Sequence, residues 1–282
     1  MRLASLRVRE PSSNRVNRNL KVAMEELVRC VRRPSRIRRL WDPNARKMLR
    51  LRLAGVGDSF VEERTANGVF RRHYPTYEAY VLHQRSKLEM MQSGSGFGLD
   101  GTDLGLYDVS FRADLRDRLQ AIGIAGRGDG VLCLAARIGT EVKAFLDCGC
   151  FAVGVDLNPG PGSSHVLQGD FHSLVFADAS IDVVYCNSID HAFDLQALFL
   201  EVHRVLKPGG TFVAEVQLGS RETDRNNTGG WESLSWESVD LVLERLAAAG
   251  FRLDRSVDFA RPWPGRCLVL KKMASASTPP AA

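Results

Sequence analysis

Several polar side chains follow short apolar runs of the chain. Asp156 ends FAVGVD, Asp170 follows VLQG, and Asn187 follows IDVVYC. Apolar runs of this length predict buried strands, and the carboxyl ends of parallel strands meet at one edge of a sheet, where α/β proteins bind ligands. A carboxylate at such an edge can accept two parallel hydrogen bonds, so the pattern indicates a ligand-binding crevice.

The segment VLCLAARIGT at 131–140 predicts a strand, a turn and the start of a helix, as at the cofactor end of a nucleotide-binding α/β unit. The turn holds one glycine, Gly139, with Ala135 and Arg137 where glycine is usual. A positive φ at Arg137 would cost about 1 to 2 kcal/mol, so we expect a negative φ there. Glu141 suits the positive end of the following helix, where it either caps the helix or faces the ligand.

Strands and helices alternate from residue 131 onward, which favours a parallel sheet. The predicted strands are Val131–Leu134, Phe151–Asp156, His165–Leu167, Ile181–Cys186 and TFVAEV, followed by FRLDRSVD and RCLVLKK as an antiparallel pair. We expect Ser235 to cap the helix between TFVAEV and this pair. The link NPGPGSS between the second and third strands leaves no room for a helix.

Residues about 107 to 272 resemble a class I S-adenosylmethionine-dependent methyltransferase. The resemblance rests on five features in order: the strand, glycine turn and helix at 131–140, Asp156 ending a strand, Gly169-Asp170, the turn LKPGG, and the final hairpin. It implies an α/β fold, with a Rossmann-like, seven-stranded, mostly parallel sheet and a C-terminal antiparallel hairpin, and S-adenosylmethionine as cofactor. The family's opening motif has an acidic residue followed by three glycines at alternate positions. This chain has Cys133 in place of the acidic residue and Ala135 and Arg137 in place of the first two glycines.

By position, the resemblance implies that Asp156 takes the ribose hydroxyls, although an aspartate before Asn-Pro-Gly could also simply form a turn. Asp170 would meet the adenine amine while Phe171 covers the ring, and Asn187 would lie at the methyl-transfer end. The implied cofactor-binding set is Ala135, Gly139, Glu141, Asp156, Leu157, Asp170, Phe171 and Asn187.

His191 and Asp190, in NSIDHAFD, are the candidate catalytic residues, because methyl transfer needs a general base where the acceptor must lose a proton. A structural histidine at a helix start is the alternative. The segment after Asn187 lacks the paired prolines of amino-methylating nucleic-acid enzymes, which favours a small-molecule or glycan or lipid-linked acceptor. No metal site is predicted, since Cys148-Gly-Cys150 has no second ligand pair nearby.

The helix predicted from Tyr77 to Met91, with Thr76 as its N-cap, places Tyr80, His83 and Lys87 on one face. That face is either the lid of an active site, with QSGSGFG as its hinge, or a half-exposed surface whose tyrosines line the core.

The N-terminal residues 1 to 52 carry 16 Lys and Arg against 4 Asp and Glu, and the remaining residues carry 22 against 29. The segment LKVAMEELVRCV predicts a basic amphipathic helix that packs on the body, lies on a membrane or binds RNA. The predicted organisation is a basic helical arm at 1–52, a helical lid or linker region at 53–106, the methyltransferase domain at 107–272 and a disordered tail at 273–282.

Apolar runs are too short for a membrane span, and the first thirty residues lack a secretory pattern, so we expect a cytoplasmic protein with reduced cysteines. Two alternatives stay open beside a small-molecule methyltransferase. One is an RNA methyltransferase that uses the basic arm, and the other is a non-catalytic, methyltransferase-like binding module. The sequence leaves the oligomeric state open.

Overall fold

A computed structural model describes residues 20, 24, 60–65, 68–92, 104–124, 126, 128–159, 163–223 and 231–273, and side chains are described for these except at 86–92 and 104. Two compact units divide the chain, residues 1–61 and residues 62–282. In the first unit, Leu20 and Met24 are helical and exposed. The remainder of the predicted arm helix, most of the predicted hinge and the predicted tail after Met273 lie outside the described residues.

Ten strands and five helices lie between Val61 and Lys272. In chain order they are β1 (Val61–Arg64), β2 (Val69–His73), α1 (Tyr77–Gln92), α2 (Leu104–Ile122), β3 (Gly130–Leu134), α3 (Thr140–Asp147), β4 (Phe151–Asp156), β5 (Val166–Gln168), β6 (Ile181–Cys186), α4 (Leu195–Val205), β7 (Leu206–Gln217), β8 (Leu234–Trp236), α5 (Val239–Ala248), β9 (Phe251–Phe259) and β10 (Gly265–Lys272). These counts refer to the described residues alone. A short 3₁₀ turn, Ile189–His191, follows β6.

Seven strands form the main sheet in the order β5-β4-β3-β6-β7-β10-β9. The pairs from β5 to β7 are parallel, whereas β10 runs antiparallel to both β7 and β9. The predicted fold class is therefore confirmed, including the C-terminal antiparallel hairpin. The described residues between β4 and β5 contain no helix, as the short link predicts.

Helices cover both faces of this sheet because successive strand residues point to opposite sides. Leu132 and Leu134 join a core cluster with apolar residues of α4 and α5, whereas Val131 and Cys133 join one with residues of α2 and α3. The near-continuous apolar character of the central strands follows from this double burial.

Helix caps account for two boundaries around β7. The Asp194 carboxylate accepts hydrogen bonds from the backbone at the start of α4, and the Ser238 hydroxyl does the same for α5. The prediction of Ser235 as the α5 cap is wrong, because Ser235 lies within β8 and the chain turns into the helix three residues later.

A second sheet, in the order β1-β2-β8, joins the region 53–106 to the chain after β7. Val69 pairs with Trp236 and Arg71 with Leu234, and the Trp236 indole donates to the Gln217 carbonyl at the end of β7. The region 53–106, predicted to be helical, therefore also contributes two strands. Those strands connect directly to α1.

Among the described residues, no helix is long and apolar enough to cross a membrane. The five described cysteines, Cys133, Cys148, Cys150, Cys186 and Cys267, carry free thiols, as predicted.

Candidate functional site

The turn after β3 is held against the end of β4. Asp156 Oδ2 accepts a hydrogen bond from the Arg137 N–H at 2.9 Å, and the Ala136 N–H donates to the Val155 carbonyl at 3.2 Å. Ala135, Arg137 and Gly139 have φ values of 54°, 42° and 79°. The expectation of a negative φ at Arg137 is therefore wrong, and the bond to Asp156 accompanies the left-handed conformation.

Two of these left-handed residues carry a Cβ atom, which costs roughly 1 to 2 kcal/mol each. Such strain persists where the surrounding structure holds it, and it concentrates at ligand-binding and catalytic sites. The close packing of this turn against β4 also depends on Gly154 in β4, since a Cβ atom there would lie 2.7 Å from the Ala136 Cβ. The fold thus maintains an unfavourable turn at the edge where a ligand site is predicted.

Asp156 has both carboxylate oxygens engaged at this turn. Besides the Arg137 bond, Oδ1 accepts from the Asn158 N–H at 2.7 Å. A carboxylate offers about four acceptor positions, so these two bonds fill half of them. Asp156 is therefore both the turn-forming aspartate of the alternative interpretation and a group with capacity for ligand hydroxyls. The following residue, Leu157, offers its carbonyl to the Gln168 amide at 3.4 Å.

Asp170, after β5, lies in a tight hydrogen-bond network. Its Oδ1 accepts from the His172 N–H at 2.9 Å and from His172 Nδ1 at 2.7 Å, and its Oδ2 accepts from the Tyr77 hydroxyl. The His172 Nε2 accepts from the Phe193 N–H at 3.1 Å, so the proton belongs on Nδ1. Burial raises the pKa of Asp170, but the bonds from His172 and Tyr77 outweigh it and leave that pKa below its usual value.

Phe171, the predicted cover of the adenine ring, is buried in the core cluster of the α4 and α5 face. It supports the sheet edge from within, and its predicted contact with a ligand stays a prediction.

Glu141 and Asn187 meet between α3 and the end of β6. The Asn187 side-chain amide donates to Glu141 Oε1 at 3.0 Å, and Glu141 is 8% exposed. Burial raises the pKa of Glu141 to about 7, against the opposing effect of the Asn187 bond. Both residues thus lie together, and the choice between a helix-capping and a ligand-facing role for Glu141 stays a prediction.

Asp190 and His191 lie in the 3₁₀ turn after β6. The Asp190 carboxylate accepts from the Gln217 amide at 3.1 Å, and the His191 Nδ1 lies 3.0 Å from the Trp231 carbonyl and 3.2 Å from Gln84 Oε1. Because Nδ1 faces two acceptors, it carries the ring proton when the imidazole is neutral. The predicted catalytic role of both residues stays a prediction.

The predicted lid face on α1 points into the protein. Tyr80 is fully buried, its hydroxyl donating to the His191 carbonyl at 3.0 Å. His83 is also buried, with Nδ1 2.8 Å from the Tyr74 hydroxyl and its ring stacked on Trp231. Lys87 belongs to the helix, but its side chain lies outside the described residues. The N-cap role of Thr76 is supported by a 3.2 Å bond from the Ala79 N–H to its hydroxyl.

Sequence reasoning missed four residues that complete this region: Tyr77, Gln84, Trp231 and Glu232. Tyr77 and Gln84 lie three residues before and four residues after Tyr80, so the helical period that selected Tyr80 could also have selected them. Trp231 and Glu232 follow a polar loop and carried no local signal, because only the pairing of β8 with β2 brings them to the site.

Comparison with known proteins identifies the domain. Residues 132–214 match the family model described as a methyltransferase domain. The sterol 24-C-methyltransferase erg6 of Aspergillus fumigatus is 41% identical over 70 residues, which cover 23% of this chain and 19% of that enzyme. The malonyl-[acyl-carrier protein] O-methyltransferase of Serratia marcescens is 26% identical over 120 residues, covering 39% of this chain and 47% of that enzyme.

Among solved structures, the 1,6-didemethyltoxoflavin-N1-methyltransferase of Burkholderia thailandensis, with bound 1,6-didemethyltoxoflavin and S-adenosylhomocysteine, superposes with a TM-score of 0.55 at 18% identity. The match covers 75% of this chain and 98% of that one, and it shows a shared fold. Residues 132–214 therefore match a methyltransferase domain, and the chain shares its fold with an S-adenosylhomocysteine-binding methyltransferase. It spans about a fifth of the length of the first curated relatives that it matches.

Proposed function

We propose that this domain binds S-adenosylmethionine at the carboxyl edge of β3 to β6 and transfers its methyl group to a small-molecule or glycan or lipid-linked acceptor. The observation that carries the cofactor site is the strained turn bonded to Asp156, with Ala135 and Arg137 held at φ values of 54° and 42°. A fold that gained nothing from this turn would be more stable with glycine at both positions.

The residues at this edge fit a cationic nucleoside. Asp156 has acceptor capacity for the ribose hydroxyls, and Asp170 after β5 and Glu141 at the start of α3 supply further acidic groups. Glycines that cradle a pyrophosphate are not required, because this cofactor has none. When bound, the cofactor supplies a methyl group activated by a sulfonium centre. The chain's own residues then bind, orient and shield the reactants.

Two observations support the proposed class of acceptor. Relatives that match parts of this chain are named for sterol and malonyl-[acyl-carrier protein] acceptors, and the toxoflavin enzyme is named for a small heterocycle. The segment Asn187-Ser188-Ile189-Asp190 after β6 also lacks the paired prolines of amino-methylating nucleic-acid enzymes. These features favour a small or carrier-borne acceptor near Asp190 and His191 over a base within a nucleic acid.

Calorimetric titration with S-adenosylhomocysteine tests the cofactor site. We expect Asp156→Ala to weaken binding by about 1.5 to 3 kcal/mol, which is roughly 10-fold to 100-fold, because charge-assisted hydrogen bonds are lost. The matched control is Asp117→Ala, which removes an exposed carboxylate that pairs with the adjacent Arg116.

An affinity of Asp156→Ala within about twofold of the wild type would contradict the site. If the wild-type protein bound no S-adenosylhomocysteine and no S-adenosylmethionine, the non-catalytic binding module would replace the enzyme as the function. Methylation of RNA in preference to sterol or acyl-thioester acceptors would favour the RNA methyltransferase instead.

A further inference from the structure

Asp190, His191 and Glu232 bring three metal-binding groups together. One carboxylate oxygen from each acid and one ring nitrogen of the histidine all lie within 4.8 Å of one another. Ligand atoms that each lie roughly 2.0 to 2.2 Å from one cation are at most about 4.4 Å apart, so a small movement of these side chains brings all three atoms within reach of one cation.

Two distant segments of the chain build this cluster. Asp190 and His191 come from the 3₁₀ turn after β6, whereas Glu232 precedes β8. A backbone hydrogen bond of 2.7 Å from the Ser233 N–H to the Asp190 carbonyl fixes one segment against the other. The main chain therefore holds together the two segments that carry these three side chains.

Each of the three side chains is oriented by a neighbour outside the cluster. The Gln217 amide donates to Asp190, the Trp231 N–H donates to Glu232 at 3.1 Å, and His191 Nδ1 faces the Trp231 carbonyl. Metal-binding histidines commonly donate their second ring N–H to a carbonyl oxygen, and metal-binding carboxylates are also hydrogen-bonded. This pattern of outer partners resembles that of a metal site.

The charge of the cluster also matches a divalent cation. Asp190 is 7% exposed, and a second carboxylate lies within 4.8 Å of its own. Two carboxylates and a neutral imidazole together carry two negative charges, and a bound cation lowers the cost of holding such acids in a poorly solvated place.

We propose that Asp190, His191 and Glu232 bind a divalent cation such as Mn²⁺ or Zn²⁺. A mixed set of one imidazole and two carboxylates suits these borderline cations better than Ca²⁺, which takes six to eight oxygen ligands. Three protein ligands leave coordination positions for water or for an oxygen of a bound molecule. His191 would then act as a ligand, in place of the general base predicted from the sequence.

The position of this site relates it to the acceptor. Asp190 and His191 follow Asn187 at the end of β6, on the side of the domain where the acceptor is proposed to bind. An acceptor oxygen could therefore reach the cation, a point that rests on the proposed function. Binding of the cation itself does not depend on that function.

The test is direct binding of metal to the tag-free, full-length protein after chelator treatment. We expect one equivalent of Mn²⁺, measured by electron paramagnetic resonance, or of Zn²⁺, measured by calorimetry. Glu232→Gln and His191→Asn should each weaken binding by about tenfold or more, because each removes a ligand but keeps a similar shape. The control is Glu63→Gln, since Glu63 forms an exposed carboxylate–histidine pair with His73, and no third metal-binding group among the described residues joins that pair.

Absence of binding at millimolar Mn²⁺ and Zn²⁺ would overturn the proposal, as would equal affinities of Glu232→Gln and Glu63→Gln. Thermal unfolding of every variant without metal identifies those that fail to fold. If both cluster variants fail to fold, the number of metal equivalents bound by the wild type is the test, and a wild type that binds none overturns the proposal. Titration of the same preparations with S-adenosylhomocysteine separates the two proposals. Cofactor binding without metal binding removes only the metal site, whereas metal binding without cofactor binding removes only the proposed function.

Discussion

Glu141 is an acid held almost out of water at the start of α3. The Asn187 side-chain amide donates to its carboxylate, and burial raises its pKa to about 7. An acid in this state is neutral for part of the time near physiological pH, so a cationic ligand nearby would favour its ionised form. We therefore expect Glu141 to couple the stability of the domain to pH.

We predict that Glu141→Gln is more stable than the wild type at about pH 8, by about 2 to 3 kcal/mol, and similar to it near pH 4. Between its usual pKa of 4.5 and its folded pKa of about 7, the native protein binds more protons than the unfolded chain. The free energy of unfolding of the wild type therefore falls as pH rises through this window. Glutamine keeps the oxygen that Asn187 contacts and removes the titration.

Urea unfolding at several pH values measures this effect. The exposed Glu244→Gln on α5 is the control, and it should show no difference that grows with pH. A constant difference between Glu141→Gln and the wild type across the window would mean that the buried carboxylate is not the cause.

The turn at 135–139 shows which properties of single residues the sequence predicts and which it does not. The sequence correctly predicted Asp156 at a strand end and Glu141 in the first turn of a helix. It could not predict the φ of Arg137, because local propensity opposes a positive value. The hydrogen bond from its N–H to Asp156, 19 residues along the chain, forms only when β3 and β4 pair.

Helix α1 connects the two sheets to the proposed cofactor site. The Tyr77 hydroxyl contacts the Asp170 carboxylate, and Tyr80 packs against Phe193 with ring centroids 5.3 Å apart. Asp170 already accepts bonds from His172, so a ligand amine at this carboxylate would share it with the Tyr77 phenol. The lid predicted from the sequence would then respond to ligand through Tyr77.

We predict that saturating S-adenosylhomocysteine slows hydrogen exchange in residues 74–85 and 170–172. A ligand held by Asp170 stabilises the loop after β5, and the Tyr77 contact transmits that order to α1. The comparison segment is α5, which packs on β9 and belongs to a different part of the sheet. Equal exchange of residues 74–85 with and without a ligand shown to bind would make α1 a fixed scaffold.

Tyr77→Phe refines this test because it removes only the hydroxyl. We expect protection of residues 170–172 to remain in this variant, while the ligand-dependent protection of α1 decreases. Undiminished protection of α1 would show that the hydroxyl does not transmit the effect.

Among the elements, those with local periodicity were predictable and those made by distant pairing were not. The strands β3, β4 and β6 are continuous apolar runs, and their predicted bounds agree with the structure to within one residue. In contrast, β1, β2 and β8 are short, and two of them, VEER and VFRRH, carry consecutive charged residues and few apolar ones. Their strand character comes from pairing with each other, which no local pattern specifies.

At the scale of the whole molecule, charge is divided unevenly along the chain. Residues 1 to 52 hold 16 basic and 4 acidic residues, whereas the domain that carries Asp156, Asp170 and Glu141 is acidic overall. A basic segment is attracted to anionic surfaces by roughly 1 kcal/mol per lysine or arginine near the surface, and salt screens this attraction. We therefore propose that the arm contacts an anionic membrane surface while the domain binds its ligands independently.

We predict that deletion of residues 1 to 52 leaves the affinity for S-adenosylhomocysteine within about twofold and abolishes sedimentation with phosphatidylserine vesicles. Every strand of both sheets begins at Val61 or later, so the deletion removes none of the elements that position Asp156. The full-length chain should bind phosphatidylserine vesicles better than phosphatidylcholine vesicles, and this preference should fade as salt rises. If a folded truncated protein lost the ligand, the arm would have to be part of the site. If the arm bound short RNA in preference to anionic vesicles, the RNA methyltransferase alternative would be favoured. Counterion release at the RNA phosphates would then drive that binding.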